Sequence, residues 1–141
     1  MKKLFLIATM VLLAAALHAQ SVVGKWKTID DESGKPRSIV EIYQKDGKLY
    51  GKIIKLFREP GEEADPVCDK CPGKLKNKKV IGLEIIQGLS QSGDTWNGGK
   101  ILDPESGKLY DCKIWLKNDK ELNVRGYVMF FYRTQTWQKE G

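Results

Sequence analysis

Three cysteines and one histidine are the residues of this chain best suited to covalent, redox or metal chemistry. Two of the cysteines form Cys68-Asp69-Lys70-Cys71. A structural zinc site wants four Cys or His ligands, and three cysteines fall short. A thioredoxin-type redox pair wants its first cysteine at the start of a helix that follows a strand. Here Pro66 precedes the pair and Pro72-Gly73 follow it, so it sits in a loop. The reading that remains is a disulfide between Cys68 and Cys71 clipping a long connection over residues 58–79. So short a clip removes little unfolded-state entropy, so replacing both cysteines by serine is expected to loosen the loop more than it destabilises the fold. Cys112 alternates with Tyr110, Ile114 and Leu116 and is expected to be a buried strand thiol. A bridge from Cys112 to either loop cysteine stays open, because spacing does not fix connectivity.

The histidine, His18, falls within an N-terminal segment expected to be removed. Without it there is no Ser-His-Asp triad, Cys-His dyad or His-ligated metal. No phosphate-cradling glycine loop, nucleophile elbow or metal triad occurs. The carboxylates form no recognisable acid–base pair, which leaves a carboxylate-only hydrolase as the catalytic alternative. The expectation is a non-enzymatic protein with no catalytic residues, metal or cofactor.

Binding chemistry is better supplied. Trp26, Tyr50, Trp96, Tyr110, Trp115 and Tyr127 make an aromatic-rich set, and Arg125 and Arg133 lie on strand-like segments. An inward-facing Arg needs a partner, because a buried unpaired charge is costly. In a structural role Arg133 covers Trp26, and Arg125 pairs with Asp103, Asp111 or Glu41. In a functional role Arg125 holds an anionic headgroup. The candidate ligand-binding set is Trp26, Tyr50, Trp96, Tyr110 and Arg125. A basic stretch, Lys70, Lys74, Lys76, Lys78 and Lys79, is expected to be solvated surface; its functional alternative is docking to anionic envelope lipid or polymer.

The elements that must position these residues are strands. Runs rich in β-branched and aromatic residues fall at 24–29, 38–44, 48–57, 82–89, 95–102, 108–117, 121–128 and 131–138. Ser33-Gly34, Asp46-Gly47, Ser92-Gly93-Asp94, Ser106-Gly107 and Asn118-Asp119 punctuate them as hairpin turns. In 108–117, Tyr110, Cys112, Ile114 and Leu116 face one way, and Asp111, Lys113, Trp115 and Lys117 the other. That alternation marks half-buried antiparallel strands. The pattern predicts an all-β, up-and-down antiparallel barrel of roughly eight strands. Gly51, Gly88, Gly98, Gly99 and Gly126 interrupt strands, as barrel corners or as gaps that open a cavity.

The chain has 141 residues with 24 basic and 18 acidic side chains. Met1-Lys2-Lys3 and the apolar run 4–17 resemble a secretory signal peptide over 1–19, cleaved after Ala19 or after Gln20. Loss of Lys2 and Lys3 leaves 22 basic against 18 acidic side chains, a net +4. That excess is too weak and too dispersed for a nucleic-acid binder. Residues 20–141 are expected to form one barrel domain with no transmembrane segment, exported to the periplasm or envelope of a bacterium.

Gly24-Lys25-Trp26 at the start, with Arg133 and Trp137 near the end, resembles the lipocalin and wider calycin arrangement. There a Gly-X-Trp packs against an Arg of the last strand and closes the barrel floor, which implies closure by Gly24, Trp26, Arg133 and Trp137. A more specific resemblance spans nearly the whole chain. Leu49-Tyr50-Gly51-Lys52-Ile53, Cys68-Asp69-Lys70-Cys71-Pro72-Gly73 and Gly82-Leu83-Glu84-Ile85-Ile86-Gln87-Gly88-Leu89 carry it. So do Trp96-Asn97-Gly98-Gly99-Lys100-Ile101-Leu102-Asp103-Pro104, Leu122-Asn123-Val124-Arg125-Gly126-Tyr127 and Arg133-Thr134-Gln135-Thr136-Trp137. In order and spacing these are similar to the domain-of-unknown-function 2147 family of bacterial envelope proteins. Cys112 and Met129-Phe130-Phe131-Tyr132 fall outside that pattern. The resemblance implies a calycin-like barrel and no assigned activity. The expected function is to bind a small apolar or amphipathic ligand in the barrel. The alternative is an envelope interaction protein whose barrel is filled with side chains. A ligand pocket of about 300–1,000 Å³ would separate the two.

Overall fold

A computed structural model describes residues 21–141. The expected signal peptide and its cleavage point lie outside the described residues. Eight strands follow in order: β1 (Gly24–Ile29), β2 (Pro36–Lys45), β3 (Lys48–Leu56), β4 (Glu84–Ser92), β5 (Thr95–Leu102), β6 (Leu109–Leu116), β7 (Glu121–Val128) and β8 (Phe131–Lys139). Each pairs antiparallel with the next, and β8 returns to β1, so the sheet is a closed barrel. The expected architecture is the observed one.

Alternation drives the closure. On β3, Leu49, Gly51 and Ile53 are buried while Lys48, Tyr50, Lys52 and Ile54 are less so. On β7, Leu122 and Val124 point in and alternate with Glu121, Asn123 and Arg125. One face of every strand thus leaves water, and only a sheet curled on itself buries all eight faces without an open edge. Asp46 and Gly47, both at positive φ, turn β2 into β3.

The largest departure from expectation is β4, expected at 82–89 and observed at Glu84–Ser92. Gly82 has φ +97° and still belongs to the incoming loop. Gly88, at φ +70°, does not end the strand, because pairing with β5 resumes beyond it at Ser90↔Asn97.

The up-and-down order places the connections 30–35, 57–83, 103–108 and the Met129-Phe130 turn at one end of the barrel. The tight turns after β2, β4 and β6 lie at the other end. Connection 57–83 is ordered by its own hydrogen bonds, Cys68 N to Lys78 O (2.7 Å) and Val80 N to Pro66 O (2.9 Å) among them. Its Cys68, Cys71, Val80 and Leu83 join the core. It also crosses the neighbouring connection so closely that a Cβ on Gly107 would fall 1.8 Å from the Lys70 carbonyl oxygen.

Candidate functional site

The interior comes first, because a pocket there is the simplest site a barrel can offer. Val40, Ile42, Leu49, Ile86, Leu89, Leu102, Ile114 and Leu122 are each at most 1% exposed, and Trp26, Ile53, Cys112, Val124 and Trp137 at most 3%. Two of the interior glycines do not open space. At Gly51 the position of a Cβ is already crowded by Ile86 Cδ1 (3.0 Å) and Val40 Cγ1 (3.2 Å). At Gly126 it meets Tyr110 Cβ at 3.6 Å. Gly99 marks a close crossing, with the Gln87 carbonyl oxygen 2.2 Å from its missing Cβ. Among the described residues two open grooves lie on the surface. One, about 670 Å³, lies along Asp119–Glu121, Gln138, Lys139 and Gly141, and the other, about 440 Å³, beside Leu75, Lys78, Lys79 and Ile81–Glu84.

The five candidate ligand residues do not share one face of the sheet. Trp26 and Trp96 are core, and Trp26 Nε1 donates to the Val22 carbonyl at 2.8 Å. Tyr110 has the inward parity of Cys112 and Ile114 and packs at Gly126. Tyr50 and Arg125 have the outward parity of their strands. Arg125 pairs with none of Asp103, Asp111 and Glu41. Its Nε donates to Thr134 Oγ1 at 2.8 Å, and its guanidinium lies over Tyr132 (4.2 Å), Trp115 (4.9 Å) and Tyr127 (6.0 Å). Ring faces attract a guanidinium through their quadrupole, so an outward Arg is stabilised here without a carboxylate. The other N–H donors of Arg125 bond to no other described residue and can meet an anion.

The closure set also divides. Trp26 and Trp137 are buried where β1 meets β8, beside the only two register pairs of that seam, Trp26↔Lys139 and Lys27↔Gln138. Arg133 does not cover Trp26. It sits exposed at the mouth end, paired with Asp31. Above the short seam, side chains take over the bridging: Asp31 also accepts from Gln135 (3.2 Å), and Gln135 accepts from Trp137 Nε1 (3.3 Å). Arg133 is four residues, or about 13 Å along a strand, from Trp137, too far to reach the floor. Gly24 opens β1 at φ +144° with open space around it.

Cys68 and Cys71 are disulfide-bonded with Cα atoms 5.4 Å apart, and Cys112 is a free, buried thiol. Burial pushes the Cys112 thiol up to about 12. A buried, protonated thiol is a poor nucleophile. Alkylation of the unreduced native protein at pH 8 is therefore expected to label no cysteine, and alkylation after unfolding in denaturant to label Cys112 alone. Labelling of Cys68 or Cys71 under denaturant, with Cys112 blocked, would contradict the pairing. The clip is more embedded than its spacing implies: Cys68 is fully buried. Serine there would bury a hydroxyl as well as open the bond, so Cys68→Ala with Cys71→Ala is the cleaner variant.

On the opposite wall, Tyr43 stacks on Tyr50 with centroids 6.0 Å apart and donates to Glu84 Oε2 at 2.8 Å. Desolvation first, then the bond to Glu84, pushes the phenol up from 10.0 to about 12. The folded protein holds this proton more tightly than the unfolded chain. Its stabilising contribution is therefore complete below pH 10 and is lost as pH rises through about 12. In an ultraviolet titration one of the five tyrosines should ionise late, and Tyr43→Phe should remove that step. A high-pH step that survives in Tyr43→Phe would contradict the hydrogen bond.

Sequence type missed the most conspicuous surface feature. Val128, Met129, Phe130, Phe131 and Tyr132 form an exposed apolar tip at the β7–β8 turn, with Met129 and Phe130 92% and 97% exposed. The parity of Lys113 with Trp115, and of Arg125 with Tyr127, was the available signal that an aromatic and cationic wall runs up to it. Elsewhere the outer wall carries Lys27, Glu41, Lys52, Lys100 and Asp111, unlike the apolar outer band of a membrane-spanning barrel. No helix among the described residues is long and apolar enough to cross a membrane.

A closed, eight-stranded, up-and-down barrel with a buried Trp in β1 is a lipocalin-like barrel. Protein HP1028 of Helicobacter pylori, described as belonging to the lipocalin family, has a similar fold: the TM-score is 0.72 at 22% identity, over 86% of this chain and 84% of that one. The chain belongs to the family described as an uncharacterized protein conserved in bacteria (DUF2147), whose family model matches residues 24–139. No curated protein matches it.

Proposed function

We propose that this is a non-enzymatic binding protein of the bacterial envelope, with the barrel as a filled scaffold and binding carried by its outer surface. The observation that supports this reading is the packing of the interior. A small apolar or amphipathic ligand would have to displace Ile42, Leu89, Ile114 and Leu122, each at most 1% exposed. Lipocalin-like folds are suited to binding, and both interior-filled and ligand-holding barrels of this strand number are physically accessible. Export is supported by the basic start and apolar run of the first 17 residues and by the Cys68–Cys71 disulfide, which persists in oxidising compartments.

Native mass spectrometry of protein purified from a bacterial envelope tests the reading. The expected spectrum is that of the polypeptide alone once loosely attached lipid is removed by gentle activation. A small molecule retained at one per chain until the barrel unfolds would overturn it.

A further inference from the structure

We propose that the β7–β8 tip inserts into the surface of a bilayer containing anionic phospholipid. Three layers carry the inference. At the tip, Met129, Phe130 and Phe131 are 92%, 97% and 78% exposed, and no packing within the barrel accounts for them. Below it lie Tyr127 and Tyr132, ring centroids 6.0 Å apart. Next come Arg125 and Lys113, register partners across β6 and β7, each over the ring of Trp115, which lies two residues further from the tip on β6. Apolar side chains, then tyrosines, then cations is the order of a bilayer surface read from acyl boundary to headgroup.

The dimensions agree. Arg125 is three residues below Val128, about 10 Å along an extended strand. Apolar groups of interfacial proteins sit about 5–10 Å into the headgroup and acyl boundary. Burying Phe130 to that depth brings Arg125 to the phosphates.

Charge favours an anionic surface. From Leu122 to Gln138 the hairpin carries Arg125 and Arg133 and no carboxylate. Two acids beside the hairpin are paired, Asp31 with Arg133 and Asp111 with Lys100. Arg125, held by Thr134 and three rings, keeps its charge for an outside partner. A second copy of the chain is a poorer occupant. The tip is a convex turn of about five residues, whereas a stable protein interface needs roughly 1,000 Å² or more with complementary shape. A fluid bilayer conforms to a convex wedge and asks for no complementary partner.

This inference rests on the outer-surface reading and names its partner. The test is flotation of the purified chain with vesicles of phosphatidylglycerol and phosphatidylethanolamine, and with vesicles of phosphatidylcholine alone. The chain is expected to float with the first, and Phe130→Ser with Phe131→Ser to lower the partition coefficient by about tenfold or more. Arg125→Gln should weaken partition to the anionic vesicles and leave the neutral ones little changed. Any residual attraction from residues 1–20 is common to all variants and cancels in the comparison. The Phe variants change exposed side chains, so their near-ultraviolet circular dichroism should match the parent. Failure of the parent to float, or equal flotation of the double variant, overturns the inference. So does a concentration-dependent dimer that the double variant abolishes, since a second copy would then cover the tip. None of these outcomes bears on whether the barrel is filled, which the mass spectrum reads separately.

Discussion

Trp26→Ala is expected to destabilise the protein by about 3–5 kcal/mol. The indole is 1% exposed and fills the barrel floor where β1 and β8 share only two register pairs. Removing it leaves a cavity at the weakest seam of the sheet. It also orphans the Val22 carbonyl, which the indole N–H satisfies at 2.8 Å. A domain of this size has about 5–15 kcal/mol in total, so the variant should be largely unfolded at modest denaturant. Trp26→Phe separates the two contributions. It restores much of the volume and leaves Val22 O without its donor, at a cost of about 1–3 kcal/mol. Urea titration followed by circular dichroism gives both values. Equal, small losses for the two variants would mean that the floor is held elsewhere.

Gly99→Ala is expected to cost about 3 kcal/mol, although it adds a single methyl group. Its φ is ordinary, so the strain is not dihedral. The new Cβ would sit 2.2 Å from the Gln87 carbonyl oxygen and 2.8 Å from backbone atoms of Gly88. Backbone cannot rotate aside as a side chain can, so β4 and β5 must part. Two neighbours calibrate the effect. Gly98 has open space and φ +79°, so Ala there should cost only the left-handed penalty of about 1–2 kcal/mol. At Gly126 the nearest atom is 3.6 Å away, and Ala should be nearly neutral. The order Gly99, Gly98, Gly126 is the result to look for. A tolerated Gly99→Ala would show that β4 and β5 are not held as close as this contact requires.

These glycines show how far sequence alone carries. Their presence inside strands flagged bends, and Gly88 and Gly99 do mark a tight crossing of β4 and β5. Whether the missing side chains leave a hole depends on what lies opposite. At Gly51 that is Ile86 and Val40, residues 35 positions later and 11 earlier, and single-strand periodicity says nothing of them. The fold itself was legible, because two-residue alternation and Gly or Asn turns act locally. Arg133 was misplaced for the opposite reason. Its position depends on how high the β1–β8 ladder runs, and that ladder stops after Lys27. Tyr50 and Arg125 illustrate a different limit. Residue type groups them with Trp26 and Tyr110 as pocket lining, whereas parity sends them outward, Tyr50 onto Tyr43 and Arg125 onto Trp115. Read by parity, Lys113, Trp115, Arg125 and Tyr127 share one wall.

The central claim is that the barrel holds side chains and nothing else. Methyl nuclear magnetic resonance reads it most directly, with laurate as the probe and the Ile and Leu methyl groups labelled. Ile42, Ile86, Leu89, Ile114 and Leu122 are the reporters, all buried within the sheet. The account predicts that their signals stay fixed as laurate is added, with any shifts confined to exposed methyl groups such as those of Ile81 and Leu109. Saturable shifts of the five interior residues, with laurate-to-methyl Overhauser contacts, would contradict it and put a ligand in the barrel.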